Sequence, residues 1–382
     1  MRVLIAGAGI GGLCLAQGLR AAGVRVSVFE RGCALENRAL DNRGLEARGQ
    51  GYRIHIDDHG GEALRRCLPE HLYRLYLATS ARPGAGRIST LGTDLSVLST
   101  FEAGTGSPHS AVNRLTLRQI LLGGLGADVH FGHQVTAVEP DADGVRVRFA
   151  GGREDRGDVL VGADGVNSVV RAAVAPDSAP IDTGLRCVYG RTPLAALPDL
   201  PARFFDGFTA VAGDTATLAL AAFRARTPPA DAAAALAPGL ALTPVPDYLM
   251  WAVVGAAPRE REPVALHRFA QGVVRRWHPE LVRIVREADV PATFRTPIRT
   301  SPPVPRWPAG RVAVLGDAIH VMPPSGGAGA NTALRDAALL TERLTTVDPR
   351  EAIAAYADEM REYATAVVHR SYLAAGLARG RE

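Results

Sequence analysis

Residues 7–12 constrain this chain more than any other stretch. They read Gly7-Ala8-Gly9-Ile10-Gly11-Gly12, after a short apolar run at 3–6 and before Leu13, Leu15, Ala16 and Leu19 at helical spacing. A strand that empties into glycines which then open a helix is the context that gives Gly-x-Gly-x-x-Gly its meaning. Gly7 permits the tight turn, Gly9 lets a pyrophosphate reach the backbone, and Gly12 lets the helix lie close to the strand. The helix N-terminus presents unsatisfied amides and a positive dipole end to phosphate. A second strand over 24–29 leads to Glu30, an acid placed to accept hydrogen bonds from ribose hydroxyls. Strand, glycines, helix, strand and acid in that order predict a dinucleotide-binding unit across residues 1–31.

The rest of the composition mostly excludes. At 382 residues the chain can hold two domains or one large one, and 47% hydrophobic with 21% charged residues is ordinary for a globular protein. No apolar run approaches the roughly 18 residues of a membrane span, so no membrane partner is expected. Met1 and Arg2 lead straight into the glycine strand, which a signal cleavage would destroy; a cytoplasmic location is the expectation. Cys14, Cys33, Cys67 and Cys187 form no Cys-x-x-Cys and no cluster with histidine, which predicts reduced, packed thiols and no metal site. The net charge of +4 comes from arginines scattered among acids, so no nucleic-acid partner is expected. All 43 basic residues are arginine. A chain without lysine can run neither Schiff-base chemistry nor a P-loop nor a lysine general acid.

Along the chain, 32–50 is polar and without periodicity and reads as a long loop, a kind that is often functional. A strand at 51–56 and a short helix at 60–68 follow, then Gly/Ser/Thr-rich excursions at 80–108 that suit a hairpin. Strand-like runs recur from about 180, an Ala/Pro-rich connector fills 227–246, and one helix is predicted over 263–289 with Leu266, Phe269, Val273, Val274 and Trp277 on one face. A buried strand at 312–315 and helices at 333–345 and 351–378 close the chain. The expected division is a first part at 1–180, an inserted sheet domain at 181–300 to which segments of 50–110 are candidates to add, and a return at 301–382.

Two further stretches repeat the strand–turn–helix logic. Residues 158–171 run from an apolar strand into Asp164-Gly165 and place Ser168 and Arg171 at the next helix; a tight turn with a capping residue is the plain structural reading. Residues 311–331 deliver Gly316-Asp317 from a buried strand, stiffen the exit with Pro323 and Pro324, and expose amides around Gly326, Gly327 and Gly329 before a helix carrying Asp336. Asp317 is placed to bind a ribityl or ribose hydroxyl, and the amides of 327–331 to cradle an electron-rich ring edge or a phosphate.

In this order and spacing the three stretches make the chain resemble the single-component (group A) FAD-dependent aromatic hydroxylases. These are the flavoprotein monooxygenases of the p-hydroxybenzoate hydroxylase fold, among them tetracycline-inactivating and natural-product tailoring enzymes. The resemblance spans nearly the whole chain. It implies an α/β fold: a Rossmann-like FAD-binding domain, an inserted mixed-sheet substrate domain and C-terminal helices. It implies FAD contacts from Gly7, Gly9, Gly11, Gly12 and Glu30, from Asp164, and from Gly316, Asp317, Pro324, Gly327, Gly329, Ala330 and Asn331. Arg118 falls where the family binds the FAD diphosphate, Arg31 beside the adenosine ribose, and Arg48 near the isoalloxazine or nicotinamide. Gly327-Ala328-Gly329 replaces the usual Gly-Gln-Gly, and the expectation is a chain without the thioredoxin-like domain of larger members.

The chemistry so implied is reduction of FAD by NADPH or NADH, addition of O2 at the flavin, and transfer of an OH equivalent from the hydroperoxide to an electron-rich aromatic, polyketide or indole-type intermediate. The hard chemistry is the cofactor's; the protein orients substrate and keeps water out. No second Gly-x-Gly-x-x-Gly is present, which argues for transient nicotinamide docking. Arg53 and His55 share one face of a strand expected beside the flavin, and Phe223 and Trp251 are pocket candidates; for each a packed position is the competing reading. His320 reads as a hydrogen-bonder behind the Gly316 loop, and no side chain is assigned acid–base work. A flavin-dependent halogenase is disfavoured, since lysine and the Trp-x-Trp-x-Ile-Pro signature are both missing. The alternatives are an FAD-dependent dehydrogenase or oxidase without oxygen insertion and a non-catalytic flavin-binding module; on any of these readings a monomer or homodimer is expected.

Overall fold

The computed structural model describes residues 1–32, 53–82, 86–102, 110–307 and 310–377. At its centre is a five-stranded parallel sheet ordered Val312–Val314, Val159–Gly162, Arg2–Ala6, Arg25–Glu30 and Val129–Phe131. Val3, Leu4 and Ile5 in the middle strand have no exposed surface, because both faces of the sheet are covered, one by helices such as Ile10–Ala21 and the other by a three-stranded antiparallel sheet of Val135–Pro140, Val145–Phe149 and Glu154–Gly157. That is why these strands read as unbroken apolar runs instead of alternating. The helix Ile10–Ala21 packs against the long helix Gly329–Thr346, and Pro349–Ala374 lies behind, its Tyr356 hydroxyl donating to the Val314 carbonyl at 2.9 Å.

A second, seven-stranded sheet is ordered Phe294–Thr300, Ile181–Pro193, Tyr248–Gly255, Ala216–Phe223, Gly207–Ala212, Arg87–Gly92 and Val97–Glu102. All neighbours are antiparallel except Gly207–Ala212 beside Arg87–Gly92. Alternation gives this sheet two distinct faces. Leu249, Trp251 and Val253 pack under Leu266, Ala270 and Val274 of a covering helix. The opposite face carries Phe223, Tyr248 and Met250, with Tyr189, Phe208 and Phe294 partly buried beside them. A two-stranded ribbon, Arg53–Ile56 against Ser110–Asn113, lies against that aromatic face through Ala111. Mixed sheet, parallel sheet and C-terminal helices together form the α/β architecture that the resemblance implies.

Several elements differ from expectation. The helix predicted over 263–289 is two, Pro263–Val274 and Pro279–Arg286. Pro279 has no N–H to continue the first, and the His278 ring accepts the Glu280 amide at 3.2 Å to start the second. Within the 80–108 excursion, Arg87–Gly92 and Val97–Glu102 form a hairpin, and it joins the seven-stranded sheet by parallel pairing with a strand more than a hundred residues later. A helix at Glu70–Thr79, which no expectation covered, turns Leu72, Leu75, Tyr76 and Thr79 inward. Among the described residues no helix is long and apolar enough to cross a membrane, and no group of metal-ligating side chains could hold an ion.

Candidate active site

The first glycine turn is stiff. Gly7 has φ +105°, in the region that favours glycine, and its amide donates to the Phe29 carbonyl at 2.7 Å. A Cβ on Gly7 would run into the Ala163 carbonyl oxygen, and one on Gly12 into the Gly7 carbonyl oxygen. Between them Ala8 is clamped from two sides: Arg118 Nε donates to its carbonyl at 2.8 Å, and Glu30 accepts its amide at 2.9 Å. The second Glu30 oxygen accepts the Gly32 amide at 2.8 Å. Gly9 differs from its neighbours, since nothing lies within 4 Å of where its Cβ would be. It opens on free space at the uncapped start of Ile10–Ala21. Gly11 does not face that space: its Cβ would meet Leu315 Cδ1 at 2.7 Å, so its small size serves helix packing.

The other two motifs converge on this turn. A Gly7 Cβ would lie 3.0 Å from the Asp164 Cα, which puts the Asp-Gly turn directly behind the glycines. One Asp164 oxygen accepts the amides of Val169 at 2.8 Å and Val170 at 3.4 Å; the other is buried with no partner among the described residues. The cap itself is Ser168, whose hydroxyl accepts the Arg171 amide at 2.9 Å, so the plain structural reading holds, with one Asp164 acceptor left over. Arg171 then ties the two loops, donating to the carbonyls of Val166 at 3.2 Å and Ala318 at 2.9 Å.

Asp317 is ringed by protein yet presents accessible surface, the signature of a side chain lining a cleft. Burial raises its pKa, against the opposing pull of His320 and Arg114. Pro324, Gly326 and Gly327 are also accessible, and Gly327 takes a left-handed conformation, φ +61°. Gly329–Thr346 starts here without a side-chain cap or an acid in its first turn, so the amides near Gly329 and Ala330 stay available. Asn331 does different work. Its amide nitrogen donates to the carbonyls of His55 at 3.0 Å and Gly327 at 3.1 Å, and its oxygen accepts the Asp57 amide at 3.1 Å. This side chain ties the loop to the ribbon.

Behind Gly316 lies a sealed polar network. Asp336 accepts from the Gly316 amide at 2.8 Å and the His320 ring at 2.6 Å with one oxygen, and from the Tyr363 hydroxyl at 2.6 Å with the other. Burial pushes the His320 pKa down, but contact with Asp336 and the charge of Asp317 outweigh it and the pKa is raised. His320 is thus a support for the loop, as its position in the sequence suggests.

The aromatic candidates divide by sheet parity. Trp251 is wholly enclosed on the helix-covered face, its ring flat over Gly190, and cannot reach the cleft. Phe223 is on the correct face but stacked under Tyr248 at 5.2 Å and nearly sealed. Both are corrected from pocket residues to core. Accessible aromatic surface comes instead from Tyr189 and Phe294, stacked at 5.2 Å, and from Phe208. His55 sits beside Gly327, where a glycine Cβ would be 3.7 Å from its own. Arg31 is exposed just past Glu30, and Arg48 lies outside the described residues. Arg114 is the functional candidate that sequence reasoning missed: it lies one helical turn before Arg118 and close enough to feel the Asp317 charge. The four-residue spacing of the two arginines was the available signal.

Comparison with known proteins agrees with this geometry. The FAD binding domain family matches residues 1–180 and 234–371. The dual O-methyltransferase/FAD-dependent monooxygenase CTB3 of Cercospora beticola is 31% identical over 411 residues, covering 97% of this chain and 45% of that protein. The chain therefore spans about half the length of that relative. The 3-amino-4-hydroxybenzoate 2-monooxygenase of Streptomyces cremeus is 30% identical over 97% of this chain and 85% of its own length. A crystal structure from Photorhabdus luminescens, of a protein assigned as an FAD containing monooxygenase, superposes with TM-score 0.82 at 31% identity, covering 98% of this chain and 97% of that one. By sequence and by fold, the chain belongs to the FAD-binding domain family, among the flavoprotein monooxygenases.

Proposed function

We propose that this protein is an FAD-dependent, NAD(P)H-consuming monooxygenase that hydroxylates or epoxidises an aromatic, polyketide or indole-type natural-product intermediate. The observation that carries this reading is the convergence of the Gly7, Asp164 and Gly316 turns on one cleft that Asp317 lines. The residues fit FAD: Gly9 leaves open space at an uncapped helix start, and Asp164 keeps a buried acceptor without a partner among the described residues. The amides at Gly9–Gly12 with Arg118 would hold the pyrophosphate, and Glu30, near Arg31, the ribose. Asp317 would hold the ribityl chain, and the backbone from Gly327 to Ala330 the ring edge.

FAD, when bound, would relay two electrons from NAD(P)H to O2, so that one oxygen atom of O2 enters the substrate and the other leaves as water. The chain's own part is to orient and to exclude water. The ribbon Arg53–Ile56 and the face bearing Tyr189, Phe208 and Phe294 wall a site suited to a flat ring, held against the Gly327 loop by the Asn331 clamp. Neither His55 nor His320 has to move a proton in this scheme.

The test is to load the purified chain with FAD, follow NADPH and NADH oxidation with aromatic candidates, and weigh the products formed under isotopically labelled dioxygen. Label in the product with tightly stimulated NAD(P)H use is the expected result. Oxidised product without label would replace this reading with a dehydrogenase or oxidase. Gly9→Ala gives a finer check. Gly9 has extended backbone, φ −78° and ψ −178°, which alanine adopts freely. Stability of the FAD-free protein should stay within about 0.5 kcal/mol. FAD affinity should fall by roughly tenfold or more, because the methyl occupies the pyrophosphate's approach. Titration calorimetry and thermal melts read the two separately.

A further inference from the structure

One charged group beside the cleft has no role in holding the cofactor. Arg53 is paired across the ribbon with Asn113, and the Asn113 side-chain amide donates to the Tyr248 hydroxyl at 3.1 Å. The guanidinium therefore stands where the ribbon meets the aromatic face, close enough to feel Tyr248. It is half-buried, its Nε is sealed from solvent without a hydrogen-bond partner, and no carboxylate pairs with it among the described residues. Tyr248 cannot neutralise it, because burial pushes the phenol's pKa far up and keeps it uncharged. Of the other arginines with a sealed Nε, Arg283, Arg343 and Arg361 each meet a carboxylate through a terminal nitrogen, while Arg295, like Arg53, has no ion pair among the described residues. A guanidinium whose Nε is sealed from water ordinarily has a counter-charge, and here none is supplied by the described residues.

We propose that the counter-charge arrives with the substrate: Arg53 receives an acidic oxygen, a ring carboxylate or the ionised hydroxyl of an enol or phenol, and so selects acidic flat aromatics over neutral ones. The planar fork of the guanidinium suits a two-oxygen acceptor of this kind. His55, two residues on along the same strand, lies against Gly327, so a ring gripped at Arg53 extends toward the loop proposed to hold the flavin edge. The inference rests on the monooxygenase reading for the word substrate, but binding tests it without turnover.

The experiment uses FAD-loaded enzyme and calorimetric titration with two matched probe pairs. One is 1-hydroxy-2-naphthoate against 1-hydroxy-2-naphthamide; the other is 2-hydroxy-1,4-naphthoquinone, an acidic enol, against its 2-methoxy ether. In at least one pair the acid should bind tighter by on the order of tenfold to a hundredfold, and the responding pair identifies the source of the acidic oxygen. Arg53→Gln should erase that preference, and Arg53→Lys should keep part of it. Equal affinities within both pairs in the wild type overturn the proposal, as does an acid preference that survives in R53Q. The wild-type comparison needs no variant, so misfolding of R53Q does not remove the test. An acid-selective site without labelled product would sink the oxygenase reading and leave this one standing; labelled product from an acid-indifferent site would do the reverse.

Discussion

Gly7→Ala should purify without flavin, if it accumulates at all. The substitution meets two independent obstacles at one atom. A backbone at φ +105° costs a side-chain-bearing residue about 1–3 kcal/mol. The added methyl also strikes the Ala163 carbonyl oxygen and comes within 3.0 Å of the Asp164 Cα, both main-chain atoms that cannot swing aside. Overpacking of that kind adds roughly 1–3 kcal/mol, out of a total stability of about 5–15 kcal/mol for an ordinary domain. Relief requires the Gly7 and Asp164 turns to separate, which opens the cleft where the proposed cofactor lies. The flavin-to-protein absorbance ratio and the melting temperature with and without FAD measure both consequences. Wild-type flavin content in G7A would falsify the role given to this turn.

Asp336→Ala should be comparably damaging without touching the cleft. Three donors converge on that carboxylate, the Gly316 amide, the His320 ring and the Tyr363 hydroxyl, and Asp336 and His320 have no exposed surface. Breaking a buried charged pair by removing one partner costs about 3–5 kcal/mol. The network also gives stability a pH signature. The His320 pKa is raised in the folded protein, pushed down by burial but lifted further by Asp336 and Asp317. A group whose folded pKa exceeds its unfolded value binds its proton more tightly when folded. Its stabilising contribution is fully present below the ordinary histidine range and is lost as pH rises through the raised value. Tyr356 and Tyr363, both pushed well up by burial and by Asp336, stay neutral through that window. Urea midpoints of the wild type, corrected by those of Asp336→Asn, should therefore decline with rising pH. A flat or rising difference would show that His320 is not held protonated.

Features carried by a few neighbouring residues were legible from the sequence. The strand–glycine–helix turn, the Asp164-Gly165 turn with its Ser168 cap and the Gly316 loop each depend on φ angles and hydrogen bonds within a few positions, and each appears where the residues predict it. Features set by distant chain were not. Whether Trp251 or Tyr248 faces the cleft depends on which side of the sheet the helices at Pro263–Val274 and Pro279–Arg286 cover, and alternation alone is symmetric between the two choices. The Asp336 network joins residues 16 and 27 positions apart, on a loop and two helices whose approach no local pattern encodes. The break at Pro279 was legible in principle: a proline inside a helical period should end the preceding helix, yet the apolar spacing on both sides masked it.

The parallel pairing of Gly207–Ala212 with Arg87–Gly92 bears on how the protein is made. While the chain leaves the ribosome, the early hairpin waits unpaired for a strand not yet synthesised. Val159–Gly162 likewise keeps one bare edge until Val312–Val314 emerges. Long-range partners of this sort form slowly, and open strand edges invite pairing with other molecules. Nascent chains halted before residue 312 should therefore be sticky, protease-sensitive clients of chaperones, and competence to take up a prosthetic group should appear only after that strand has emerged.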